Sequence, residues 1–113
     1  MKIKDINNYN FHDSGILEIS KNDGSVSLKI MYCLFMQEDY VDGNPENSII
    51  KVTFKNVTNY VNSHNTFNDD TILEVEVNNN CVKFVVEDNN RDVYNIIIEA
   101  DTFDFETIEV VNQ

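Results

Sequence analysis

The segment Thr71-Ile72-Leu73-Glu74-Val75-Glu76-Val77-Asn78-Asn79-Asn80-Cys81-Val82-Lys83-Phe84-Val85-Val86-Glu87 decides the fold. Leu73, Val75 and Val77 alternate with Glu74 and Glu76, the period-two pattern of a half-buried strand with the apolar residues facing inward. Asn78-Asn79-Asn80 interrupts the pattern with turn chemistry, and Val82, Phe84 and Val86 resume it on one face of a second strand. Asp88-Asn89-Asn90-Arg91 turns the chain again. Val93 to Ala100 then sets Tyr94, Ile96, Ile98 and Ala100 on one face. Thr102 to Val110 closes the meander with Phe103, Phe105, Ile108 and Val110, and its change of phase near Glu106-Thr107 predicts a bulge.

The same period continues toward the N-terminus. Ser48 to Lys55 reads as a strand with Ile50, Val52 and Phe54 inward. Val26 to Met36 is the longest strand expected. Val26, Leu28, Ile30, Tyr32, Leu34 and Met36 share one face, while Met31, Cys33 and Phe35 make the far end apolar on the other face as well. Ile16 to Ser20 is a strand, joined to the next by Lys21-Asn22-Asp23-Gly24-Ser25, whose Asp-Gly pair is a hairpin signal. Ile3, Ile6 and Tyr9 recur every third residue, which suits one helical turn or an irregular lead-in. The stretch 56–70 reads as a loop with at most one turn of helix: Val57, Tyr60 and Val61 have helical spacing behind a capping Asn56, but β-branched residues and asparagines weigh against it. The expectation is one all-β domain over residues 1–113, an antiparallel sandwich or a curved sheet rolled over one core, with about seven strands.

Composition narrows the function. Twenty Asp and Glu stand against eight Lys and Arg, a net charge of −12. Such a field disfavours nucleic acid and anionic membranes, both of which are held by Lys and Arg, and favours a basic protein or a cation. Met1-Lys2-Ile3-Lys4 leads into polar residues, so neither a secretion signal nor a membrane span is expected, and the expected location is cytoplasmic. Cys33 and Cys81 lie in apolar strand patterns and read most simply as buried thiols, although sequence alone leaves a disulfide open.

The most chemically varied stretch is Phe11-His12-Asp13-Ser14-Gly15-Ile16. His, Asp and Ser are the residue types of a hydrolase triad, but adjacent positions do not form a Ser-to-His-to-Asp relay, and no catalytic residue is assigned. Turn chemistry explains them better. Asp13 and Ser14 would bond backbone amides, Gly15 would supply conformational freedom, and Phe11 would anchor the turn on the core. No metal site is expected: His64 lies in an Asn-rich loop without ligand spacing, and Asp39, Asp42, Asn44 and Glu46 lack the spacing of a calcium loop. No motif points to a cofactor.

The pattern Phe-His-Asp-Ser-x-Ile-x-x-Ile, carried here by Phe11, His12, Asp13, Ser14, Ile16 and Ile19, resembles that of small bacterial proteins, some thought to be immunity proteins of polymorphic or contact-dependent toxin systems. Val52-Thr53-Phe54-Lys55-Asn56-Val57, a strand ending in a Phe-x-x-Val step, is a weaker echo of the same proteins. The resemblance implies a protein that neutralises a basic toxin domain by occlusion. The acidic loop Glu38, Asp39, Tyr40, Asp42 and Glu46 is the expected docking surface, with Tyr40 as its anchor. The alternatives are a small acidic accessory domain that self-associates through an edge strand, as a homodimer for instance, and a small-ligand carrier or enzyme.

Overall fold

The computed structural model describes residues 1–111 and is almost entirely antiparallel sheet. Eight strands follow one another as β1 (Gly15–Asn22), β2 (Ser25–Cys33), β3 (Asn47–Lys55), β4 (Asn59–Val61), β5 (Thr71–Asn78), β6 (Cys81–Glu87), β7 (Val93–Glu99) and β8 (Thr102–Val111). They hydrogen-bond into a single sheet in the order β4-β7-β6-β5-β1-β2-β3-β8. Two 3-10 helices, Ile3–Asn8 and Leu34–Met36, complete the described elements. None of the described helices is long and apolar enough to cross a membrane.

The sheet has a seam at its middle. β1 and β5 share only the pair Gly15↔Thr71, whereas β2 and β3 are in register from Ser25↔Lys55 to Cys33↔Asn47. At the seam the sheet folds over, so the inward residues of its two halves meet. Val26, Leu28, Ile30, Ile50, Val52, Phe54 and Phe103 from one half pack on Ile72, Val82, Phe84, Val86, Ile96 and Ile98 from the other. Burial of this one apolar face is the main stabilising term of the fold.

Most of the expected inward residues hold, and the departures have local causes. Strand β2 ends at Cys33, and Leu34 and Phe35 both donate their N–H groups to the carbonyl of Glu46, at 2.7 and 3.3 Å, which curls the backbone into the second 3-10 helix. Phe35 is therefore exposed, not buried. In β5 the register against β6 shifts between Ile72 and Glu74, so Ile72 takes the core position expected of Leu73, while Val75 and Val77 still pack against the core. A bulge in β8 does fall close to the anticipated place: Ile50 pairs with Thr107 but Ile49 with Glu109, leaving Ile108 as the extra residue.

No helical turn forms within 56–70. Asn56 adopts φ 55 and reverses the chain in place of capping a helix, and Thr58 donates to the carbonyl of Glu99 at 2.8 Å. The chain stays extended and adds β4 along β7, the eighth strand beyond the seven expected, as suits the β-branched Val57, Thr58 and Val61. Farther along, the ring of His64 stacks on Tyr94 at 3.6 Å, and the Tyr94 hydroxyl donates to buried Asp70 at 2.6 Å. Cys33 and Cys81 are free thiols, the first buried and the second partly so.

Candidate partner-binding cleft

At one end of the folded sheet an open cleft of about 850 Å³ gathers four separate segments. Its walls include Tyr9 to His12, Gln37 to Asp39 and Leu73 to Val75 of β5, and Tyr32 and Phe105 also line it.

The first wall starts from the spacing by three. A 3-10 helix brings residues i and i+3 into line, so Ile3 and Ile6 bury together and Tyr9 follows on the same side. The Tyr9 ring stacks on Phe105 at 4.2 Å and 8°. Phe11 is buried, tilted against Tyr32 at 5.5 Å and edge-on to Phe84 at 6.1 Å, so it does anchor this segment on the core. Tyr32 meets Phe105 edge-on at 5.4 Å. Burial, and then the neighbouring Tyr9, hold the Tyr32 hydroxyl protonated well above the usual tyrosine range.

The turn after Phe11 is built differently from the sequence expectation. Asp13 itself takes the left-handed conformation, φ 66, and Gly15 does not. The cap is the side chain of Asn10, whose Oδ1 accepts the His12 N–H at 3.0 Å. Asp13 donates its N–H to Ile72 O and Ile72 donates to Ser14 O, at 2.9 and 2.8 Å, which stitches the turn to β5 across the seam. The Ser14 hydroxyl is fully buried and accepts the Cys33 N–H at 3.1 Å. His12 Nδ1 lies 2.7 Å from the Leu73 carbonyl. A carbonyl only accepts, so Nδ1 carries the proton and Nε2 faces the Asp13 carboxylate at 3.4 Å. Ser14 and His12 thus turn to different partners, and the three side chains form no relay.

The opposite wall is held by Gln37. Its Oε1 accepts the Asn10 N–H at 3.0 Å, and its Nε2 donates to Asn10 O at 2.7 Å and to Cys33 O at 2.9 Å. Asn10 Nδ2 donates back to Met36 O at 3.3 Å. One amide side chain thereby occupies both backbone groups of Asn10, as a neighbouring strand would. Glu38 and Asp39, which follow Gln37, join the cleft lining with His12.

Of the residues expected to dock a partner, Glu38 and Asp39 line the cleft, with Phe11 and His12 of the turn. Tyr40, Asp42 and Glu46 lie outside it: the Tyr40 hydroxyl donates to Asn44 O at 2.9 Å, and the loop folds on itself. Tyr9, Tyr32, Glu74 and Phe105 line the cleft unanticipated. The spacing of Ile3, Ile6 and Tyr9 was a signal for the first of them, but nothing local marks Phe105 or Glu74 as its neighbours. The carboxylates in the lining are Glu38, Asp39 and Glu74, and no Lys or Arg stands among the described lining residues. Among the described residues, no group of three or more His, Cys, Asp or Glu is placed to hold a metal ion.

In comparisons with known proteins, no family model, no curated protein and no solved structure matches the chain.

Proposed function

We infer that this protein is an immunity-type binding protein that neutralises a basic toxin domain by occlusion, with the aromatic-floored cleft as its docking centre. The observation that carries the reading is the cleft lining: aromatic rings and three carboxylates, with no Lys or Arg among the described lining residues. A partner's Lys or Arg side chain entering there meets aromatic side chains and negative charge together, and both favour a cation. The net charge of −12 attracts a cationic partner from a distance and speeds association. The Phe11-His12-Asp13-Ser14 resemblance supplies the immunity class, and the cleft supplies a surface to go with it.

The test is co-expression with the product of the adjacent gene, followed by association kinetics at low and high salt. The triple variant Glu38→Gln, Asp39→Asn, Glu74→Gln is expected to slow association and flatten its salt dependence, with a smaller effect on dissociation. Salt-independent association, or full protection from the toxin by the triple variant, overturns the choice of cleft. Failure to bind the adjacent gene product counts against the immunity reading itself.

A further inference from the structure

β8 is the long open edge of the sheet. It is ten residues long and ends the strand order, while the edge at the other end, β4, is three residues long. Among the described residues, backbone bonds cover only the start of β8. The Met1 amine donates to Phe103 O at 2.9 Å, Phe103 donates its N–H to Met1 O at 3.0 Å, and Lys2 bridges Thr102. These bonds show which backbone groups of β8 face away from β3. Phe103 gives its single N–H to Met1, so Phe54↔Phe103 is a non-hydrogen-bonded pair in the ladder to β3. By alternation, the N–H and C=O groups of Phe105 and Thr107 also point outward, before the bulge at Ile108.

The side chains along this edge sort by face. Asp104, Glu106 and Glu109 are exposed on the outer face, and Asp104 is already paired with Lys55 at 2.7 Å. Phe105 and Val110 belong to the inner face, where Phe105 enters the cleft. Ile108 and Val110 are 48% and 47% exposed, an apolar pair on a strand that has no second strand beside it among the described residues.

We propose that the β8 edge accepts an extended segment of a partner protein as an added strand, one in which Lys or Arg alternates with apolar residues. Main-chain hydrogen bonds to Phe105 and Thr107 give such a strand its register. Its apolar residues then cover Phe105 and Val110, and its basic residues meet Glu106 and Glu109. A second copy of this chain is the wrong occupant, because β8 paired with itself sets carboxylates against carboxylates between two chains of net charge −12. The inference rests on the basic partner proposed above and adds how that partner is held.

The probe is an end-blocked heptapeptide of alternating Lys and Val, titrated into isotope-labelled protein and followed by amide NMR and hydrogen exchange. Two controls are a peptide with the same residues in two blocks and an alternating Glu-Val peptide. Thr107→Pro removes an outward N–H without touching the β3 ladder, as an edge strand tolerates, and Thr107→Val keeps that N–H. The alternating Lys-Val peptide is expected to bind saturably and to slow exchange at Phe105 and Thr107. Thr107→Pro is expected to weaken it by about tenfold or more, with Thr107→Val unchanged. Equal binding to Thr107→Pro, equal binding by the block peptide, or no binding by the alternating peptide overturns the proposal. So does a dimer of the free protein in sedimentation that Thr107→Pro abolishes. If Thr107→Pro does not fold, protection at Phe105 and Thr107 in the unaltered chain decides. Because the peptide experiment uses no natural partner, it fails or succeeds separately from the co-expression test.

Discussion

The ring of Phe54 in β3 meets the ring of Phe84 in β6 edge-on, 6.2 Å between centroids, although β5, β1 and β2 lie between their strands in the sheet. The contact exists only because the sheet folds at the Gly15↔Thr71 seam. Phe84→Ala is expected to cost about 3–5 kcal/mol. The Phe54/Phe84 double-mutant cycle is expected to show a coupling of about 0.5–1.5 kcal/mol. Urea unfolding of the four proteins measures both, and zero coupling would mean that the halves are not packed ring to ring.

Ser14 and Asp13 are adjacent but have opposite structural weights. Ser14→Ala leaves the buried Cys33 N–H without its acceptor and is expected to cost about 1–3 kcal/mol. Asp13→Asn keeps a residue type that tolerates φ 66 and removes only an exposed charge, so its effect is expected to stay within about 0.5 kcal/mol. Thermal unfolding of the two variants checks the order, and a larger loss for Asp13→Asn would contradict it.

Gln37→Ala removes two hydrogen bonds to Asn10 on the other cleft wall and one to Cys33 O within its own segment. The expected cost is about 1–2 kcal/mol, since these bonds are partly solvent-exposed. The distinguishing readout is amide exchange at Asn10, which should accelerate in the variant far more than exchange in β2 or β3.

Tyr94 is expected to contribute to the loss of stability at alkaline pH. Burial and the hydrogen bond to Asp70 raise its hydroxyl above the ordinary tyrosine value of 10.0, and burial raises Tyr32 likewise. A group whose folded pKa is raised contributes stability that is complete below the unfolded value and is lost as pH rises through the folded one. Unfolding free energy is therefore expected to fall as pH climbs above about 10, where the unfolded chain ionises first. Tyr94→Phe should shallow that fall, while at neutral pH it costs about 1.5–3 kcal/mol for the bond to the buried carboxylate. Urea titrations at neutral and alkaline pH separate the two effects.

Ser48 is 2% exposed, and its hydroxyl has no hydrogen-bond partner among the described residues. Ser48→Ala removes an unsatisfied polar group and is expected to be neutral or to stabilise by up to about 1 kcal/mol. A loss of stability in thermal unfolding would reveal a partner for that hydroxyl.

Local pattern carries much of this fold. Each of Val82, Phe84 and Val86 alternates with a less buried neighbour, and each is buried as its strand position requires, because pleating alone sends successive side chains to opposite faces. The same alternation misleads where the backbone departs from it. Leu73 lost its core place to Ile72 through a bulge, and Phe35 lost its own through a 3-10 helix drawn toward Glu46. Neither departure is visible from the residues' own hydrophobicity.

Sequence alone determined the all-β class, most of the inward faces and the acidic character, since these depend on neighbouring residues and on simple charge. Tertiary structure decided that Gly15 would pair with Thr71, that the sheet would fold there, and that Tyr9, Tyr32, Glu74 and Phe105 would share one cleft. A strand's pattern says which face is apolar but not which distant strand will lie beside it. That choice is made by the packing of the whole core, and the cleft is the place where four segments end up together only after the choice is made.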